Sequence, residues 1–220
     1  MYIGVGGQQQ NGKDTVSDYL KKQLDTYYRT WKRTAFASNV KRIFMDTFEK
    51  DPSYVERWKV EPKNPPDLDM AVRKALQFIG DGFRQIKSTI WLDLIFRNPE
   101  PQIISDLRYI NEFKAVHDHK GYCLLVVNPD KLNDDPNGSE AQIRPLVVWA
   151  LNHRYEAKNL LEQVKRNPQE YDAPEEIKYI NMILFNDGSI KSLYEKIDQF
   201  VIPEINKFFS KEKTCLTSSK

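Results

Sequence analysis

Gly7 and Gly12 are separated by four residues, and Lys13, Asp14 and Thr15 follow at once. An apolar run of β type (Tyr2, Ile3, Val5) precedes the first glycine, and a helical pattern begins near Thr15. Strand, glycine turn and helix in this order make a phosphate loop. The glycines can take positive φ and let the backbone approach a ligand closely. The amides of the turn, including those of Gln10 and Asn11, then point at one spot over the positive end of a helix, which suits a polyphosphate. Lys13 supplies a mobile cation for the β- and γ-phosphates. Ser or Thr usually follows that lysine and binds Mg²⁺; here Asp14 does, and the hydroxyl comes one residue later at Thr15. Asp14 is read as facing the metal, directly or through water, because Mg²⁺ takes oxygen ligands and keeps several waters. Thr15 is read as facing the α-phosphate. The competing reading is a glycine turn that merely starts a helix, with Asp14 a first-turn acid favoured by the helix dipole.

A second group of reactive residues follows another apolar run, in Ile103-Ile104-Ser105-Asp106-Leu107-Arg108-Tyr109-Ile110-Asn111-Glu112. An acid and an arginine two apart at a strand end could emerge beside the phosphate loop. Asp106 could orient Mg²⁺ through water, and Arg108 could grip a phosphate with two parallel hydrogen bonds. The alternative is a turn in which the aspartate caps a helix beginning near Asn111, with Arg108 solvated.

The elements that must position these residues are read from periodicity. Strands are expected at Tyr2–Val5, Thr34–Ala37, Gln102–Ser105, Tyr122–Asn128 and Tyr179–Phe185. Tyr122–Asn128 is a continuous apolar run of the kind found inside a parallel sheet. Helices are expected from Thr15 to Thr26, Val40 to Phe48, Met70 to Ile79 (broken by Gly80 and Gly82), Phe83 to Phe96 and Glu112 to His119. A last helix runs toward Phe209, with Ser189 as its cap. Residues 50–69 hold four prolines and read as loop with one helical turn near Tyr54–Trp58. The stretch 142–166 is ambiguous, with a β-like Leu146-Val147-Val148-Trp149. Strands alternating with helices imply an α/β fold: a parallel sheet covered on both faces, with ligands beyond the carboxyl ends of the strands.

Composition narrows the class. The chain has 220 residues, 40% of them hydrophobic, enough for a sizeable core. Lys plus Arg number 33 against 31 acids, so bulk charge does not suggest nucleic acid as a partner, and the basic residues must act locally. Two cysteines form no framework, and Cys123 in its apolar run reads as a core thiol; a reducing cytoplasm is expected. The apolar runs are far short of a membrane span, and no leader pattern opens the chain, so neither membrane nor secretion is expected. The three histidines do not have the look of metal ligands.

The chain resembles the deoxynucleoside monophosphate kinases of tailed bacteriophages, a group of P-loop kinases. Gly12-Lys13-Asp14-Thr15 matches their unusual loop ending. Phe36-Ala37-Ser38-Asn39-Val40-Lys41 is similar to their segment after the second strand. Arg73-Lys74-Ala75-Leu76-Gln77-Phe78-Ile79-Gly80-Asp81, with the later Trp91, looks like their Arg-x-x-Leu-Gln segment. Ser105-Asp106-Leu107-Arg108 through Asn111-Glu112, and Asn186-Asp187-Gly188-Ser189, match two further motifs. The match spans 1–128 and 179–200; a His-x-Ser-Glu element has only Asn137-Gly138-Ser139-Glu140 in its place.

The resemblance implies one three-layer P-loop kinase domain. Its core would be 1–48, 99–128 and 179–209, with a mainly helical acceptor-binding insertion at about 49–98 and a lid-like insertion at about 129–178. A disordered tail is expected over 211–220. It implies ATP with Mg²⁺ as donor, a deoxynucleoside monophosphate as acceptor, and Lys41, Arg73, Arg84, Arg108 and Glu112 at the acceptor. Gln77 is the candidate for reading a base edge, since an amide both donates and accepts. Arg144 and Arg154 are candidates for closing the lid by position alone. Other P-loop small-molecule kinases (phosphomevalonate or dephospho-coenzyme A kinase type) and a non-catalytic nucleotide-binding module also fit, and a homodimer is left open.

Overall fold

The computed structural model describes residues 1–25, 30–61, 63–132, 139–154 and 157–217. Five strands form one sheet: β1 (Tyr2–Gly6), β2 (Lys32–Thr34), β3 (Gln102–Leu107), β4 (Tyr122–Val127) and β5 (Met182–Phe185), in the order β2-β3-β1-β4-β5. β1 pairs in parallel with β3 and β4, and β4 with β5. The expected α/β class and parallel sheet are therefore present, and β1 lies at its centre.

The two faces of β1 are built differently, and period-two alternation is the reason. Ile3 and Val5 are buried in a core with Val16 and Leu20 of α1 (Lys13–Leu24) and Leu193, Ile197 and Val201 further on. On the other face stand Gly4 and Gly6. A Cβ on Gly4 would meet Leu107 Cδ2 at 2.7 Å, and one on Gly6 would overlap the ring of Phe113. Bare backbone there lets α6 (Ile110–Asp118), which carries Phe113, settle directly on the strand that feeds the phosphate loop.

The chain forms two compact units, Met1–Arg33 with Glu100–Lys220, and Thr34–Pro99. The second unit is helical: α2 (Phe36–Phe48), α3 (Pro52–Trp58), α4 (Val72–Ile86) and α5 (Ile90–Phe96). α2 belongs with it, not with the sheet core to 48 that the sequence suggests, because Phe44 is buried against Val55, Val72 and Ala75. α4 is not broken by Gly80 and Gly82. Each costs about 1 kcal/mol in helix propensity, but Gly80 is buried and its carbonyl accepts a hydrogen bond from Trp91 Nε1 at 3.0 Å. The break comes later, where Lys87 is extended, so residues 83–96 make two helices.

In the first unit, α7 (Ser139–Asn152) takes in Leu146–Trp149, so that β-like stretch is helical even with Pro145 inside it. Ile143, Leu146, Val147 and Ala150 are all buried, and their spacing is that of a helix. α8 (Ala157–Arg166) follows, then two short 3₁₀ turns, Pro168–Tyr171 and Glu175–Tyr179. The second turn takes the start of the expected last strand, and β5 begins only at Met182. Ser189 caps α9 (Ile190–Lys196) by accepting from Ser192 N at 3.2 Å, as its position after the Asn-Asp-Gly turn suggests. A π-helical turn (Ile197–Val201) leads into α10 (Ile202–Thr217). The expected disordered tail is thus helical over 211–217, continuing a helix anchored by buried Ile205 and Phe209; residues 218–220 lie outside the described residues. So do Thr26, the expected end of the first helix, and Asn137-Gly138.

Because Phe113 fills the space where a side chain at residue 6 would stand, Gly6→Ala should destabilise the fold by about 1–3 kcal/mol or more. Urea unfolding should register this as a lowered midpoint with little change in slope.

Candidate active site

The loop Gly7–Gly12 leaves the carboxyl end of β1 and closes onto α1, which starts at Lys13. Gly12 is the N-cap of α1 and sits at φ 93°, Gly7 at φ 146°. Both are conformations that glycine adopts without strain. The first bond of the α1 ladder runs from Val16 N to the Gly12 carbonyl at 3.0 Å. The amides of Lys13, Asp14 and Thr15 precede that ladder, and the N-cap, a glycine, brings no side chain to them. This is the arrangement in which a helix start receives an anion.

The loop is fastened from three sides. Lys13 is 7% exposed, and its ammonium donates to the Gln8 carbonyl at 2.6 Å. Asn11 is buried and donates through Nδ2 to the Val126 carbonyl of β4 at 3.1 Å. Asn186, just past β5, donates through Nδ2 to the Asn11 carbonyl at 3.1 Å. Gly7 N reaches the Leu107 carbonyl at the end of β3, 3.4 Å away. The ends of β3, β4 and β5 therefore all meet the loop that β1 feeds.

Asp106 lies on β3, one residue before its end, and Arg108 directly after it. Gly6, the last residue of β1, pairs with Leu107, the residue between them. Glu112 has a different place. It is 4% exposed, and its Oε2 accepts from Arg108 N at 2.7 Å and from Tyr109 N at 3.1 Å. That carboxylate shapes the backbone that presents Arg108. Two successive amides beside an acid at the third helical position are the signal that could have identified it.

Asp14 is exposed on the first turn of α1, and Arg33 of β2 pairs with it and, at 2.7 Å, with Asp18 one turn on. Thr15 is half-buried beside it, and Gln10 is exposed at φ 63°.

The remaining acceptor candidates lie in the 34–99 unit. Arg73, Gln77 and Arg84 fall on one face of α4, at helical offsets of four and seven. Arg84 pairs with Asp81 at 3.0 Å. Lys41 pairs with Glu56 at 2.6 Å; hydrogen bonds from Lys41 and then Lys59 hold that carboxyl below its usual range. Of the aromatic residues, Trp91 is core and Phe78 is 74% exposed.

The two arginines chosen by position for the lid are placed apart. Arg144 is half-buried on α7 and lines a cavity of about 480 Å³ with Trp149, His153 and Asp172. Arg154 pairs with Asp187 and lies over the Phe185 ring, 5.7 Å from its centroid. Lys196 pairs with the same aspartate and donates to the Phe185 carbonyl at 3.1 Å. Arg154, Asp187 and Lys196 border a cleft of about 910 Å³ that runs along β5 between α8 and α10.

Among the described residues no cluster of His, Cys, Asp or Glu suits a metal held by protein alone, and no helix is long and apolar enough to cross a membrane. Cys123 is a buried free thiol whose pKa is pushed up by burial, which fits a core role.

No protein-family model matches the chain. A protein of Acanthamoeba polyphaga mimivirus named "Putative deoxynucleotide monophosphate kinase" is 25% identical over 164 residues, covering 66% of this chain and 82% of that protein. Two solved structures are similar at a TM-score of 0.41 and 13% identity. Shikimate kinase from Acinetobacter baumannii in complex with shikimate matches over 92% of this chain and 93% of its own. Dephospho-CoA kinase from Campylobacter jejuni matches over 94% and 97%. Likeness at this level says nothing of substrate.

Burial raises the Asp187 pKa, and the hydrogen bonds from Lys196 and then Arg154 outweigh it, leaving the group below its ordinary value. A lowered folded pKa stabilises above the unfolded value of about 3.9, and that contribution fades as pH falls through the folded value. The stability gap between the wild type and Asp187→Asn should therefore be full near neutrality and shrink in acid, measured by denaturant unfolding across pH.

Proposed function

We propose that this protein is an ATP-dependent phosphotransferase that moves the γ-phosphoryl group of ATP onto a deoxynucleoside monophosphate, giving ADP and the deoxynucleoside diphosphate. The observation that carries the reading is the Gly7–Gly12 turn closing onto the start of α1 with a left-handed glycine as its N-cap, and Asp106 and Arg108 at the adjoining strand end. The nucleotide acceptor is supported by the name of the mimivirus relative and by the segments around Gln77 and Asp106.

In this reading the loop amides and Lys13 hold the donor triphosphate. An oxygen of the acceptor phosphate attacks the γ-phosphorus, and the bond from that phosphorus to the β,γ-bridging oxygen breaks. The acceptor is already anionic, so no strong base is required, and catalysis comes from positioning and charge neutralisation. Arg108 grips phosphate oxygens, presented by a backbone that Glu112 holds. Lys41, Arg73 and Arg84 supply further cations for the acceptor, and Gln77 meets the base edge. Arg154 is the lid candidate, held in reserve by Asp187.

Asp14 and Asp106 offer the oxygen ligands that Mg²⁺ prefers, through water. When bound, Mg²⁺ would neutralise charge on the β- and γ-phosphates. Asp14 would have to share its carboxylate with Arg33.

Lys13→Ala should lower turnover by ~100-fold or more while leaving the fold intact. Near-normal transfer by this variant would remove the loop from the chemistry. Arg108→Ala should cost about 3 kcal/mol in kcat/KM, as loss of a dry phosphate clamp does. The acceptor is tested with ATP, Mg²⁺ and a panel of dGMP, dTMP, dCMP, dAMP, mevalonate phosphate and dephospho-coenzyme A. Product on a nucleotide supports the proposal; product only on another acceptor, or none at all, overturns it.

A further inference from the structure

An anion nest works only if its carbonyls are turned away. Each peptide unit carries a negative oxygen as well as a positive amide. A carbonyl directed into the cup would repel the phosphates that the amides attract. Two carbonyls of the Gly7–Gly12 turn are engaged by identified donors. Gln8 O accepts from Lys13 Nζ at 2.6 Å and from Asn11 N at 3.3 Å. Asn11 O accepts from Asn186 Nδ2 at 3.1 Å.

Asn186 is set for this by its own backbone. Its amide continues the ladder past β5 by donating to Val127 O at 2.8 Å, which fixes the residue at the loop's edge. Its carboxamide then fills the space beside Gly12: a Cβ on Gly12 would lie 2.5 Å from Asn186 Nδ2. The missing side chain at residue 12 and the carboxamide at 186 are thus one feature. Asn11 completes the lock from its side chain, which donates to Val126 O at 3.1 Å. Ser or Asp at position 186 would not reproduce this, because the first is shorter and the second has no side-chain donor at neutral pH.

We propose that Asn186 is a positioning residue of the donor site, which sets the electrostatic sign of the phosphate cup by holding the Asn11 carbonyl out of it. This rests on the phosphate-loop reading above. Asn186 touches neither the transferred group nor the acceptor in this role; it acts through the backbone of Asn11 and Gly12. Its neighbour Asp187 is engaged with Arg154 and Lys196, so the two residues of one turn serve the loop and the arginine separately.

The test uses the full chain and two variants that differ in charge at one site, with ADP and inorganic tripolyphosphate as calorimetric probes. Asn186→Ala removes the donor and should weaken both probes by about fivefold to tenfold. Asn186→Asp is nearly isosteric, but faces the Asn11 carbonyl with a second acceptor and adds negative charge beside the cup. It should weaken both probes by about 30-fold or more. In turnover assays the loss should appear in KM for ATP, with KM for the acceptor within about threefold of wild type. A merely structural role predicts instead that affinity follows the thermal midpoint, and that the two variants are alike for equal loss of stability. Binding of ADP by Asn186→Asp within threefold of wild type would overturn the inference alone. Failure of the wild type to bind either probe would overturn the donor-site reading and this inference with it.

Discussion

The hydrogen bond from the Asn186 carboxamide to the Asn11 carbonyl, with the Asn11 carboxamide bound in turn to β4, joins the phosphate loop to the far half of the sheet. A glycine turn has little rigidity of its own, and within residues 7–12 the bond from Asn11 N to Gln8 O spans only part of it. The ends of three strands supply what the turn lacks. β3 meets it at Gly7, β4 at Asn11, and the segment after β5 at Asn11 again. The loop is thus tied to the ends of the strands on both sides of β1.

The same reasoning explains the bare face of β1. Gly4 and Gly6 contribute no side chain to the core, which costs burial. What they permit is the close seat of Phe113, and with it a fixed start for α6. Arg108 lies two residues before that helix, and Glu112 in its first turn ties down the Arg108 amide. A packing choice on one strand thus determines where a guanidinium leaves the neighbouring one. Removal of side chains, as much as their presence, builds the site.

The charged residues proposed for function are already engaged with protein partners. Lys13 donates to a loop carbonyl, Asp14 is paired with Arg33, Lys41 with Glu56, and Arg154 with Asp187. Several of these pairs are exposed, where an ion pair is worth about 1 kcal/mol or less. Exchange of such partners for phosphate oxygens is therefore inexpensive, and a site of this kind can be preassembled without being locked.

Much of this was legible in the order of residues. A strand followed by Gly7 to Thr15 announces the phosphate loop, because the requirement is local: positive φ, amides and a cation within nine residues. The apolar strand before Arg108 was legible too, though it runs through Asp106 to Leu107 rather than ending at Ser105. The cap at Ser189 was local too. Tertiary packing decided the rest. Leu146–Trp149 became helix and α4 ran through two glycines, because burial of a helical face outweighs propensity by more than the glycines cost. Glu112 became an anchor of the backbone at Arg108 and Tyr109. Asn186, legible in the sequence only as the first residue of an Asn-Asp-Gly-Ser motif, became a support of the loop. The bonds of that asparagine reach across 175 positions of chain, and no spacing rule spans such a distance; only the pairing of β4 with β5 brings the residue to its place.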